Sequence, residues 1–471
     1  MNTKNNKAHE YFFVSFLIKQ KRKILNYTIK INRDQLIIKF QKTTMKKTLV
    51  VLFTICSLSN FAQTKSVKNS PKLTEATPSS AGMSSERLAR IDNMLNKAVA
   101  DSEIPGAIAL VARKGKIVYL KAFGMADNAS SKSLKTDAIF RIASQTKAIT
   151  TTAVMMLWEE GKFKLDDPIA KYIPEFKNAQ VLDSVYPDGK YTTKPAKREI
   201  TIRDLITHTS GIGYGQIDSD PRFKKIYKDA GVTDLFTTDK ITIAESIKKL
   251  AKLPLHHNPG EKFTYSEGLD VIGYFIEIMS GMPMDEFYRT HIFEPLGMND
   301  TYFYLPESKY NRLVTVQTKE NNKWIPFPNT FYDTNYPIKG AKSFFSGGAG
   351  LSSTAKDYAT FLQMFLNKGE LNGIRLLSRT TVQFMLANQI GDVWGKTDAG
   401  HGLGFRVLNQ MGEDLGGQGS AGTFNWGGYF NTQYFADPKE ELIGIILKQT
   451  QKTSDNTGWK FQLLAEQAID D

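Results

Sequence analysis

The sequence predicts a mixed α/β protein in which one sheet is built from both chain ends and a helical insertion fills the middle. Three observations predict it. "GAIALVARKGKIVYLKAFG" (106–124) reads as two strands around a Lys114-Gly115 turn. "NTQYFADPKEELIGIILKQT" (431–450) reads as strand, Asp-Pro turn, strand. Between them, roughly 145–400, the chain reads as helix and long loop with no internal repeat.

Residues 1–44 carry ten Lys/Arg against two Asp/Glu, a net of +8. "MKKTLVVLFTICSLSNFAQTKS" follows from Met45: two lysines, an apolar run Leu49–Leu58, then a short stretch to Ala62. This is the layout of a secretory signal, too short for a membrane span, with cleavage expected after Ala62. A membrane anchor or core helix is the alternative. A signal at 45–62 makes 1–44 an expected non-native extension, with translation starting at Met45. Of the net charge of +13, only +3 then remains for the mature chain, so nucleic-acid binding is not expected. The single cysteine, Cys56, lies in the apolar run, preceded by Ile55 rather than the small residue a lipoprotein signal needs. The mature protein would hold no thiol and no disulfide, and a periplasmic or secreted location is expected, without a stable membrane anchor.

Residues 63–80, polar with two prolines, read as a linker into a domain over 81–471. "SSERLARIDNMLNKAVAD" (84–101) spaces Leu88, Ile91, Met94, Leu95 and Val99 as one helix face, with Ser84 or Ser85 as N-cap. "SQTKAITTTAVMMLWEEG" (144–161) is apolar or small for most of its length and predicts a buried helix. "TIAESIKKLAKLPL" (242–255) is helical, with Lys248 and Lys249 on a solvated face. "GLSSTAKDYATFLQMFLNKG" (350–369) continues as an amphipathic helix with Ser352 or Ser353 as N-cap. "TGWKFQLLAEQAID" (457–470) closes the chain as a helix.

The pattern S-x-x-K occurs at Ser144/Lys147, Ser246/Lys249 and Ser353/Lys356. The second and third have plain helical explanations. Lys147 lies one turn from Ser144 on the same face. Burial favours a neutral lysine, and a helix N-terminus offers N–H donors to a developing oxyanion. An activated serine needs both. An N-cap serine beside a snorkelling lysine uses the same residues, and residue chemistry alone leaves both readings open.

Six ordered blocks carry a resemblance. They are "FRIASQTKAITTTAVMMLWEEGKFKLDDPIAKYIPEF" (140–176), "ITIRDLITHTSGIGYG" (200–215), "PGEKFTYSEGLDVIGYFIEIMSG" (259–281), "FEPLGMNDTYF" (293–303), "SGGAGLSSTAKDYATFLQMFLNKGELNGIRLL" (346–377) and "FNWGGYFNTQYFADPKEELIGIIL" (424–447). Together they resemble the serine β-lactamase and penicillin-binding-protein superfamily, and more narrowly its class C β-lactamase-like branch. The pattern is most similar to family VIII carboxylesterases, over about residues 75–470. The resemblance implies an antiparallel sheet flanked by helices plus an all-helical subdomain. It implies Ser144 as acylated nucleophile, with Lys147 and Tyr265 as the base and acid pair. The oxyanion hole would be the backbone N–H of Ser144 and Tyr429. Trp426-Gly427-Gly428 would be the third motif and, with Glu267, would contact substrate.

Two departures bear on substrate. Glu267 stands where lactamases and peptidases have asparagine, and Trp426 stands where they have lysine or histidine. Both changes weaken recognition of penicillins and D-alanyl-D-alanine ends and lean towards esters. Asp270 matches the esterase pattern, with a structural hydrogen bond as an equal reading. "GDVWGKT" (391–397) is one residue short of a P-loop and reads as a loop. His208 reads as a packing residue, His256-His257 belong to no metal motif, and neither metal nor organic cofactor is expected. Tyr214, Phe344, Phe345 and Trp426 could line an acyl pocket; core packing is the plain alternative for the first three. The expected function is therefore an exported serine hydrolase cleaving a small-molecule carboxylic ester. The alternatives are a peptidase or β-lactamase acting on cell-wall-like amides, or a non-catalytic binding protein on the same fold. Oligomeric state is left open.

Overall fold

The computed structural model describes residues 64–471. The expected extension at 1–44 and signal segment at 45–62, Cys56 included, lie outside the described residues. In chain order, the elements that position the site are β1 (Thr74–Glu75), α1 (Ser85–Ala100), β2 (Gly106–Arg113), β3 (Lys116–Asp127), β4 (Lys132–Ser133) and α2 (Thr146–Glu159). After them come α3 (Ile243–Leu250), α4 (Gly268–Ser280), α5 (Ala355–Leu366), β5 (Ala399–His401), β6 (Arg406–Leu408), β7 (Phe424–Gly428), β8 (Thr432–Asp437), β9 (Leu442–Leu447) and α6 (Thr457–Glu466).

The nine β elements form one sheet in the order β5-β6-β7-β8-β9-β2-β3-β1, with β4 also on β3. All pairs are antiparallel except β1 on β3. The two chain ends meet where β9 pairs with β2, Leu447 opposite Ile108 and Leu442 opposite Arg113. Lys114 (φ 51°) and Gly115 (φ 74°) both take left-handed backbone, the twist that a two-residue hairpin turn requires. All eight residues of β2 are buried because both sheet faces are covered. Ile108, Leu110 and Ala112 face a large core that includes Ile149 and Ala153 of α2 and Leu269 and Ile272 of α4. Their neighbours Ala107, Ala109 and Val111 face a second core made with Leu88, Ile91 and Leu95 of α1 and Phe461 and Ala465 of α6. Each large side chain so buried contributes about 1.5–3 kcal/mol of transfer free energy.

The predicted elements at both chain ends are present, α1 with Ser84 Oγ accepting from Arg87 N at 3.2 Å. Two readings are corrected. The stretch expected as a linker, 63–80, is not free where it is described: Thr64–Lys65 pairs with Ile374–Arg375, and Thr74–Glu75 pairs with Lys116–Ile117. Backbone pairing to distant strands holds this polar stretch in place. The cap of α5 is Thr354, whose side chain accepts from Asp357 N at 3.2 Å. Ser352 and Ser353 instead form a short ribbon with Arg141 and Phe140.

The segment Gly213–Gln216 is held by carboxylates. Asp218 Oδ2 accepts from Tyr214 N at 2.9 Å. Asp234 Oδ2 accepts from Gly215 N and Gln216 N, each at 2.9 Å. Burial pushes the Asp234 carboxyl up to about 6, against the pull of those two N–H groups, with Asp270 adding to the rise. Its folded value lies above the unfolded one, near 3.9. The folded state therefore binds the extra proton, and stability falls as pH rises from about 4 through about 6. Asp234→Asn keeps an acceptor for the loop and removes the charge. Thermal unfolding at pH 5 and pH 8 is expected to show a smaller loss on alkalisation in the variant, by about 1 to 1.5 kcal/mol in unfolding free energy. An unchanged difference would contradict the assignment.

Candidate active site

Ser144 lies in a short 3-10 turn, Ala143–Gln145, that leads into α2. From Ala138 to Met155 every residue is buried except Ser144. Its hydroxyl caps nothing: neither the turn nor α2 has a side-chain cap. Ser144 is therefore not the N-cap residue of α2. Ala143 takes a left-handed φ of 43°, a strained setting for an alanine that turns the next residue outward. The strand before it is fixed by the ribbon with 352–353 and by Arg141. The guanidinium of Arg141 is buried and donates to Thr334 O and Val314 O, both at 2.7 Å.

Lys147 is 2% exposed. Its Nζ lies 3.4 Å from Ser144 Oγ and donates to Gly348 O at 2.7 Å and Tyr214 Oη at 3.0 Å. It also sits over the Tyr265 ring, 4.7 Å from the centroid. Asp270 does not touch the amine; its Oδ1 accepts from Gly348 N at 3.2 Å, holding the peptide whose carbonyl receives Nζ. The structural reading of Asp270 thus has its hydrogen bond.

Tyr265 is half-buried and presented by His208. His208 O accepts from Thr264 N at 2.8 Å, and its Nδ1 accepts from Ser266 N at 3.2 Å. The two imidazole and phenol rings lie 4.7 Å apart. Burial, with His401 and Lys147 nearby, holds the His208 imidazole well below its usual range. It is neutral, as an Nδ1 acceptor must be. His208 has the packing role expected of it, and its target is the tyrosine.

Strand β7 closes the other side. A Cβ on Gly428 would collide with Ile142 O and Thr432 Oγ1, so glycine lets the sheet edge touch the turn that carries Ser144. The hydrogen bonds of the described residues leave the N–H groups of Ser144 and Tyr429 without an acceptor. Tyr429 O is held by Gln451 Nε2. Trp426 lies 6.0 Å from Tyr265 and edge-on to His401 at 5.6 Å. Trp394 stacks on Phe263 at 4.8 Å and also meets His401. Phe344 and Phe345 are core residues, 4% and 7% exposed. A cavity of about 480 Å³ is lined by Trp394, Trp426, Gly427, Asn425 and Arg406, among others.

Ser144, Lys147, Tyr265, Trp426, Gly428 and Tyr429 thus come together around one edge of the sheet. Glu267 does not join them at the surface. It is 1% exposed, and burial with Asp234 and Asp270 nearby pushes its carboxyl well above the ordinary range. Gly348 and Trp394 were not assigned to the site from sequence, and Tyr214 was read only as an aromatic that could line an acyl pocket, not as a partner of Lys147. Trp394 was visible only as an aromatic in a loop. The other two S-x-x-K serines are structural: Ser246 Oγ, within α3, donates to Thr233 O at 2.6 Å, and Ser353 Oγ meets Thr301 Oγ1 at 2.7 Å.

A family profile described as Beta-lactamase matches residues 91–467. Esterase EstB of Burkholderia gladioli is 30% identical over 379 residues, 77% of this chain and 90% of EstB. An Escherichia coli K12 protein named as a candidate D-alanyl-D-alanine carboxypeptidase is 30% identical over 424 residues, 86% of this chain and 90% of its own. Among solved structures, EstCE1, described as a hydrolase with promiscuous acyltransferase activity, matches with a TM-score of 0.68 at 25% identity, over 82% of this chain and 99% of its own. With its profile match spanning most of its length and relatives at 30% identity, this chain belongs to the β-lactamase family of serine hydrolases.

Proposed function

We propose that the protein is an exported hydrolase of carboxylic esters that works through an acyl-Ser144 intermediate. One observation carries the reading. Ser144 is the single partly exposed position in a buried run, and its hydroxyl faces a buried amine at 3.4 Å. The Oγ proton passes to Lys147 Nζ, directly or by way of Tyr265, as Oγ attacks the ester carbonyl carbon. The carbonyl oxygen becomes an oxyanion that the N–H groups of Ser144 and Tyr429 receive. The C–O bond to the alcohol breaks, and its oxygen takes a proton from the Lys147/Tyr265 pair. Water then repeats the steps in reverse order and releases the acid. Tyr214 is not a base here: burial first, then Tyr265 and the nearby carboxyl groups, push its phenol well above its usual range.

Ester preference is supported by the third motif, where Trp426 stands in place of the lysine or histidine of lactamases and peptidases. A hydrogen bond to a charged substrate group is worth about 1.5–3 kcal/mol, or roughly 10- to 100-fold. A site without a free cation there forgoes that gain for penicillins and C-terminal carboxylates. EstB, an esterase by name, supports the same preference. Export rests on the signal-like segment at 45–62. The Escherichia coli relative keeps a second reading in view, hydrolysis of D-alanyl amides.

Turnover of p-nitrophenyl acetate, p-nitrophenyl butyrate and a chromogenic cephalosporin by wild type and Ser144→Ala tests the reading. Ester hydrolysis is expected to fall by at least about 10³-fold in the variant. The cephalosporin is expected to be cleaved at least about 10-fold less efficiently than the esters by wild type. Comparable lactam cleavage would move the second reading ahead, and equal activity in both proteins would remove Ser144 as nucleophile. Gly428→Ala pushes β7 off the Ile142 carbonyl. It is expected to lower kcat about 10²- to 10³-fold while Tyr265 and Lys147 stay in place. Unchanged kcat would show that the Tyr429 amide is not an oxyanion donor.

A further inference from the structure

The hydroxyl of Ser144 and the amine of Lys147 explain a proton transfer, but not what keeps the amine aimed. A lysine side chain turns about four carbon bonds, and its terminal group turns freely. Here the amine has three oxygen neighbours from three parts of the chain: Gly348 O at 2.7 Å, Tyr214 Oη at 3.0 Å and Ser144 Oγ at 3.4 Å. Tyr265 offers the amine its ring face rather than a hydroxyl bond.

We propose that Tyr214 is a positioning residue of the reaction: its phenol oxygen and the Gly348 carbonyl each take one hydrogen of Nζ and so aim the remaining position of the nitrogen at Ser144 Oγ. The proposal rests on the reading of Ser144 as nucleophile. A neutral amine has two N–H bonds and one lone pair. With the two hydrogens engaged, the lone pair is left for the Oγ proton. When the O–H bond breaks and the third N–H forms, the ammonium keeps both acceptors. The charge therefore moves onto nitrogen without any side chain having to turn, which is the meaning of a preorganised site.

Two further observations support it. Tyr214 is 1% exposed and cannot rotate to water. Its backbone is tied down on both sides, by Asp218 at its own N–H and by Asp234 at the next two. The phenol keeps its proton because burial opposes the charged form, so it remains a neutral acceptor across the working pH range.

Tyr214→Phe removes one oxygen and keeps the ring. Assayed on p-nitrophenyl butyrate, it is expected to lower kcat about 10- to 100-fold with KM within about threefold. Tyr214→His returns an acceptor nitrogen and is expected to recover part of kcat. It also serves if the phenylalanine variant does not fold, which thermal unfolding reports. Unchanged kcat would overturn the proposal. So would a raised KM at constant kcat, which would make Tyr214 a wall of the acyl pocket. A Ser144→Ala control that retained activity would instead overturn the nucleophile reading, leaving these two outcomes distinct.

Discussion

A buried amine must place its hydrogens on oxygen, and the site is arranged around that requirement for Lys147. Its partners come from 201 residues ahead, Gly348, and 67 ahead, Tyr214. Leaving such a group without acceptors would cost several kcal/mol, so the loops that bring them are not free to drift. Asp270 holds the Gly348 peptide, and Asp218 and Asp234 hold the Tyr214 segment. These carboxyl groups do no chemistry on substrate in this account; they fix the acceptors that fix the amine.

The second constraint is the approach of the sheet edge to the turn before α2. Backbone meets backbone at Gly428 and Ile142, where no side chain fits. Strand pairing carries this contact across the whole sheet, from β7 through β8 and β9 to β2, so both chain ends share in placing the Tyr429 amide. The strained φ of Ala143 and the left-handed His208, φ 59°, mark where the chain bends to present Ser144 and Tyr265. Such strain persists where surrounding packing over-determines it.

The sheet was legible in sequence because its strands carry their own punctuation. Lys114-Gly115 turns β2 into β3, and Asp437-Pro438 starts the turn from β8 towards β9. The helix from Ser144 was legible from its uniform apolarity, but its serine was not. S-x-x-K fits an N-cap and a nucleophile equally, and only the preceding 3-10 turn separates them. Ser352 to Thr354 offer three successive hydroxyl residues as caps, and a ribbon with residues 140–141 consumes the first two. The stretch 63–80 reads as linker because its pairing partners lie far away in sequence. Tyr214 was legible as an aromatic that could line a pocket but not as a partner of Lys147, since nothing local says that a lysine 67 residues earlier ends on its hydroxyl.

The central claim is that Ser144 carries the acyl group during turnover. Acid quenching of the protein during steady-state hydrolysis of p-nitrophenyl butyrate, followed by peptide mass spectrometry, measures this directly. The account predicts a butyryl ester on Ser144 within the peptide that contains Lys147's neighbours, lost with time once substrate is exhausted. A butyryl group on another residue, or continued turnover with Ser144 unmodified at every quench time, would contradict it.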